Sequence, residues 1–128
     1  MLRMFCVLLC CAPLLVGCFE ACTEADCTDS VTITFENLDS VQGLSMQLTL
    51  ADGSHLDIQC PALSSSPEWR CQGNSVLLWK TPRYLDLTVS APSGSYSGRI
   101  TPKYEKLYPN GPDCAPMCGV ATVSVPLQ

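Results

Sequence analysis

The sequence predicts an all-β protein, an antiparallel β-sandwich of about seven to eight strands held by disulfides. Apolar residues recur at every second position in short runs, which is the period of a half-buried strand. Gly, Pro, Asn, Asp and Ser divide those runs at a spacing of about 8 to 12 residues, the punctuation of a sandwich. The cysteines beyond residue 18 number six, an even count suited to pairing. No stretch sustains the 3.6-residue spacing of a helix, and a closed barrel is the second architecture.

The elements follow in order. Residues 30–37 read SVTITFEN, with Val31, Ile33 and Phe35 on one face and Thr32, Thr34 and Glu36 on the other. Residues 44–50 repeat the pattern, Leu44, Met46, Leu48 and Leu50 against Ser45, Gln47 and Thr49. Asp52-Gly53 is a two-residue hairpin signal leading into SHLDIQC, where Leu56, Ile58 and Cys60 alternate with His55, Asp57 and Gln59. A loop rich in proline and serine precedes EWRCQ, and Gly73-Asn74 turns that strand into SVLLWK. YLDLTVS, YSGRITPKY and VATVSV complete a set of eight, separated by APSGS and by a long loop. The likeness to an immunoglobulin domain is architectural only. That family's pattern places a tryptophan between two distant cysteines, whereas Cys60 and Cys71 are 11 apart. Trp69 and Trp79 therefore signal large buried or half-buried side chains.

The N-terminus reads as a signal peptide. Arg3 supplies one positive charge and residues 4–16 form an apolar run of 13, too short for a membrane span of about 20 residues. An ordinary cleavage site fits poorly, since a cut after Ala21 places Phe19 where a small residue belongs. Leu15-Val16-Gly17-Cys18 resembles a bacterial lipoprotein lipobox, and the resemblance implies that Cys18 is lipid-modified, palmitate included, and becomes the first mature residue. A lipid anchor of more than one acyl chain holds a protein stably, because each buried methylene contributes about 0.8 kcal/mol. Phe19 after that cysteine is not the aspartate of an inner-membrane retention signal, which points to the outer membrane. Cys6, Cys10 and Cys11 fall within the removed segment.

The expected division is a signal peptide over 1–17, an acidic tether over 18–29 and a sandwich domain over 30–128. Loss of Arg3 leaves six Lys and Arg against twelve Asp and Glu, a net charge of minus six. An acidic chain argues against nucleic acid and against electrostatic docking on anionic lipid. Glu20, Glu24, Asp26 and Asp29 cluster beside Cys18, and like charge favours an extended tether there.

Cys22, Cys27, Cys60, Cys71, Cys114 and Cys118 then form the disulfide set of an exported domain. Cys60 and Cys71 flank one loop and should bridge, a closure worth about 3 kcal/mol on the chain-entropy argument. The other four stand in two pairs, one before the first strand and one before the last. If those strands run parallel and adjacent, the N-terminal pair bridges to the C-terminal pair; the alternative is two local loops, Cys22 to Cys27 and Cys114 to Cys118. A zinc site on the same four sulfurs is the chemical rival, at spacings of five and four rather than the tighter three, but zinc needs thiolates that an oxidising compartment removes.

Residues 102–125 carry a second resemblance. Pro102, Tyr104, Pro109-Asn110-Gly111-Pro112, Cys114, Cys118 and the strand from Val120 resemble the C-terminal signature of small cysteine-rich lipoproteins of myxobacterial type. The resemblance implies no activity and no cofactor. Asn110-Gly111 offers positive φ for a turn, and prolines and cysteines stiffen the loop.

Catalytic patterns are missing: His55 is the single histidine, on a polar face; GLSMQ lacks the second glycine of a nucleophile elbow; GSYSG centres on Tyr96. Phosphate loops and dinucleotide fingerprints are absent too. The expectation is a non-enzymatic envelope lipoprotein, anchored by lipid, with a structural or protein-interaction sandwich. The alternative is a carbohydrate or small-ligand module using exposed tyrosines, Tyr104 and Tyr108 first among Tyr84, Tyr96, Tyr104 and Tyr108.

Overall fold

A computed structural model describes residues 25–61 and 66–128. The expected signal segment, Cys18 and Cys22 lie outside the described residues. Thr28–Lys106 with Gly119–Gln128 form one compact unit, and Leu107–Cys118 with the described residues before Thr28 form another.

The larger unit carries two sheets. One has five strands in the order β4 (Trp69–Gln72), β5 (Ser75–Leu78), β1 (Ser30–Phe35), β9 (Cys118–Val125), β8 (Glu105–Leu107); the other has four, β3 (His55–Gln59), β2 (Ser45–Leu50), β6 (Leu85–Ala91), β7 (Gly94–Ile100). The protein is thus an all-β sandwich stapled by disulfides. Alternation drives it: Val31, Ile33 and Phe35 of β1 are fully buried while Ser30, Thr32 and Thr34 are not. Met46, Leu48 and Leu50 of β2 meet Leu85, Leu87 and Val89 of β6 in one core with them. Burying each such side chain stabilises by about 1.5–3 kcal/mol, and register is fixed because a one-residue slip would turn this face to water.

β1 lies antiparallel to β5, and β2 antiparallel to both β3 and β6. β1 and β9 instead run parallel, from Ser30↔Val120 to Phe35↔Val125, so the sandwich is not antiparallel throughout. This is the first-to-last pairing that a long-range cysteine bridge requires.

All eight expected strands form, with shifted ends. The run expected over 96–104 starts at Gly94, directly after a tight Pro92-Ser93 loop, and stops at Ile100; Pro102, which has no N–H for a ladder, is buried beyond it. β8 is a ninth strand, three exposed residues whose EKL carries no alternation to read. The hairpin after β2 also differs from expectation. Leu50 N–H donates to Ser54 O at 2.8 Å and Gly53 N–H to Leu50 O at 2.9 Å, so the loop has three residues, 51–53, with Gly53 at φ 86°. A turn followed by a left-handed residue is the usual three-residue solution, and Asp52 Oδ1 steadies it by accepting from Ser54 N–H at 2.9 Å.

Two disulfides have both sulfurs among the described residues. Cys60, directly after β3, joins Cys71 on β4, with Cα atoms 6.0 Å apart, and so ties one sheet to the other. Cys27 joins Cys118 across 91 residues, also at 6.0 Å. The register explains that choice: Ser30 faces Val120, an offset of 90, and stepping back along both strands brings Cys27 and Cys118 into range. The long-range arrangement therefore holds for this pair, and Cys114 is disulfide-bonded as well. Cys27, Cys114 and Cys118, three of the four sulfurs in the zinc alternative, are thus disulfide sulfurs in this structure.

Candidate functional site

The segment Leu107–Cys118 is held by more than its cysteines. Asn110 Oδ1 accepts from Ala25 N–H at 3.0 Å, and its Nδ2 donates to Ala25 O at 2.9 Å and to Ala115 O at 2.7 Å. One side-chain amide thus pairs with a backbone unit as a neighbouring strand would, and clamps the loop's own later part. Gly111 N–H donates to Tyr108 O at 3.0 Å and Cys114 N–H to Gly111 O at 3.1 Å, two successive turns. Gly111 takes the positive φ, 101°, that the Asn-Gly pair foreshadows; no residue other than glycine does so among the described residues. Asn110 is a clamp, then, rather than the left-handed turn residue that its type suggests.

On this pinned loop sit Leu107, Tyr108 and Met117, which are 41, 39 and 54 % exposed. They are the exposed large hydrophobic residues among the described residues, gathered within one segment of 12.

The tyrosines are not one exposed cluster. Tyr104 is half-buried against the core, and its hydroxyl donates to Pro82 O at 2.7 Å. Burial, with the negative Asp29 adding to it, pushes its phenol up to about 12. Asp29 Oδ1 meanwhile accepts from Gly119 N–H at 2.8 Å. Tyr96 packs on the core from β7, over Gly98. Tyr84 lies under the Arg99 guanidinium, 3.9 Å from ring centroid to Cζ. Tyr108 alone of the four is exposed, and it belongs to the other unit.

Arg99 donates from Nε to Asp86 Oδ1 at 2.8 Å and from Nη2 to Asp86 Oδ2 at 3.1 Å, a fork that fixes the guanidinium plane. The Arg99 hydrogen bond holds the Asp86 carboxyl below the usual carboxylate range, although both side chains face solvent. Sequence reasoning passed over this trio, yet the signal exists. Counting outward from the Pro92-Ser93 turn pairs Ala91 with Gly94 and, by the same register, Asp86 with Arg99.

His55 is exposed on β3, its Nδ1 3.0 Å from Thr49 Oγ1. Among the described residues no group of three or more His, Cys, Asp or Glu side chains could hold a metal ion, and no helix is long and apolar enough to cross a membrane. No protein-family profile, curated protein or solved structure matches the chain significantly.

Proposed function

We propose that this protein is a lipid-anchored envelope lipoprotein with a β-sandwich domain and a protein-interaction loop, residues 107–118. The observation that carries the reading is the coincidence of exposed apolar side chains with immobilised backbone. Leu107, Tyr108 and Met117 project from a segment tied by Cys27–Cys118 and by three hydrogen bonds of Asn110. Ordering a loop costs affinity, about 0.5–1.5 kcal/mol for each immobilised side chain with many rotamers, and a loop pinned beforehand avoids the backbone share of that cost. Aromatic and methionine side chains are the types enriched at interface cores.

The anchor rests on Leu15-Val16-Gly17-Cys18 and the acidic stretch behind it. Anchor and loop act together: a partner confined to the same envelope meets the loop at raised effective concentration, so a modest contact suffices.

Both halves are testable in the native cell. Labelled palmitate should enter the wild-type protein and not Cys18→Ser, and failure of labelling removes the anchor. A photo-crosslinking residue at position 117 should yield one dominant envelope adduct that disappears in Tyr108→Ser. A crosslinking pattern identical with and without Tyr108 ends the interaction-loop reading.

A further inference from the structure

We propose that a second surface, on the larger unit, binds an acidic polysaccharide along a track that runs from the segment between β5 and β6 onto the outer face of β2, β6 and β7. The track shares no residue with the loop 107–118 and stands independently of it.

Its first part is a groove of about 620 Å³ in which Asp52, Lys80, Thr81, Pro82, Arg83 and Tyr84 take part. Two cations and one carboxylate give that lining a charge of plus one, in a chain whose net charge is minus five. Asp52 is occupied by Ser54, which donates from its N–H at 2.9 Å and from Oγ at 2.6 Å. Lys80 lies 3.7 Å from Glu68, a loose pair. Arg83 is exposed and makes no ion pair or hydrogen bond among the described residues. A guanidinium left open in a groove is a ready fork for an oxyanion.

The second part is a depression of about 340 Å³ on the sheet face. Gln47, Thr88 and Ser97 stand in one row across three strands, and Thr49, Asp86 and Arg99 in the next. These outward side chains are hydroxyls, an amide and one ion pair, with no apolar group among them. Such a face offers nothing to a peptide's apolar side chains, and the backbone groups of β2 and β6 beneath it are already paired on both sides in the sheet. It suits a ligand that is itself a row of hydroxyls.

The two parts meet at one contact. Tyr84 lines the groove, Arg99 lines the depression, and the ring and guanidinium stack at 3.9 Å. Asp86 holds the guanidinium plane of that stack, so the joint between groove and depression is fixed by a cation–π contact and a bidentate ion pair. Tyr104 reaches under the same segment, its hydroxyl on Pro82 O, and sets the groove's wall as a positioning residue.

Electrophoresis of the purified protein through gels containing polygalacturonate, neutral dextran or poly-glutamate tests the proposal. Polygalacturonate should retard the wild-type protein, and neutral dextran should not. Arg83→Ala and Thr88→Glu are exposed changes that leave the core intact, and each should weaken retardation at least tenfold; Tyr108→Ser should not alter it. Absence of retardation by polygalacturonate overturns the proposal, as does wild-type retardation of both track variants. Equal retardation by poly-glutamate also overturns it, because charge alone, as for an acidic peptide, would then explain binding.

Discussion

Asn110 replaces a missing strand neighbour with its own amide, so the residue does what its type rarely does at a turn. Removing the amide leaves Ala25 N–H and O and Ala115 O without these partners. A single hydrogen bond contributes about 0.5–1.5 kcal/mol net, and partial exposure lets water compensate some of three. Asn110→Ala should therefore cost about 1–2 kcal/mol locally, seen as faster amide exchange and faster proteolysis in 107–118 with β2 and β6 unchanged. Asn110→Asp should fare no better, since the carboxylate keeps the acceptor but loses both donors. Uniform loss of protection across the sandwich would contradict the local role. Tyr104 sets a second expectation at this scale. Its phenol rises in the fold from the ordinary 10 to about 12, so the fold holds the neutral ring. That contribution is full below pH 10 and is lost as pH climbs through about 12. The thermal midpoint should fall across pH 10–12 in the wild type and fall less in Tyr104→Phe, which cannot ionise. Equal slopes for the two would remove the linkage. Neither role is legible in sequence: PNGP announces a turn, and nothing announces that the asparagine's amide, rather than its backbone, is the working part.

Elements are where the sequence speaks most clearly, and where it stops is instructive. Burial of alternate residues made β1, β2 and β6 readable, because a single buried face imposes period two. β8 has no buried face, so EKL gave no sign of it. β7 sits between these cases. Its inner row is Gly94, Tyr96, Gly98 and Ile100, and a Cβ built on Gly98 would lie 2.7 Å from the Tyr96 hydroxyl and 3.1 Å from Cζ. The glycine is a space, filled by the ring of the residue two before it on the same strand. An aromatic laid over a glycine restores the packing that a bare edge position lacks. Gly98→Ala should destabilise by about 1–3 kcal/mol through overpacking. Tyr96→Phe removes the nearest atom, so the double variant should recover part of the loss in a chemical-denaturation cycle. Strict additivity of the two changes would show that ring and glycine do not interact.

At the scale of the whole molecule, one parallel pairing organises the rest. β1 beside β9 brings the two ends of the sandwich's chain into one sheet, and the register offset of 90 leads to a cysteine bridge spanning 91. The sequence admitted this bridge and a purely local alternative. Only the register separates them, and register belongs to strand pairing, which spacing along the chain does not encode. The two bridges with known partners should differ in energetic weight. Taken each alone, closing 91 residues would constrain the unfolded chain by on the order of 4 to 5 kcal/mol and closing 11 by about 3 kcal/mol, but the further disulfide at Cys114 persists when Cys27–Cys118 is removed and reduces the longer bridge's share. Cys60–Cys71 adds a native-state role that loop entropy ignores, since it ties the two sheets and Cys60 is 5 % exposed within the core. Removing it by paired Ala substitution leaves a cavity as well as a longer free loop. The expected result inverts the loop-length order: Cys60→Ala with Cys71→Ala should lower the denaturation midpoint at least as much as Cys27→Ala with Cys118→Ala. If the 91-residue bridge proves costlier by the full entropy difference, unfolded-state constraint alone governs both, and the tie between sheets contributes nothing beyond it.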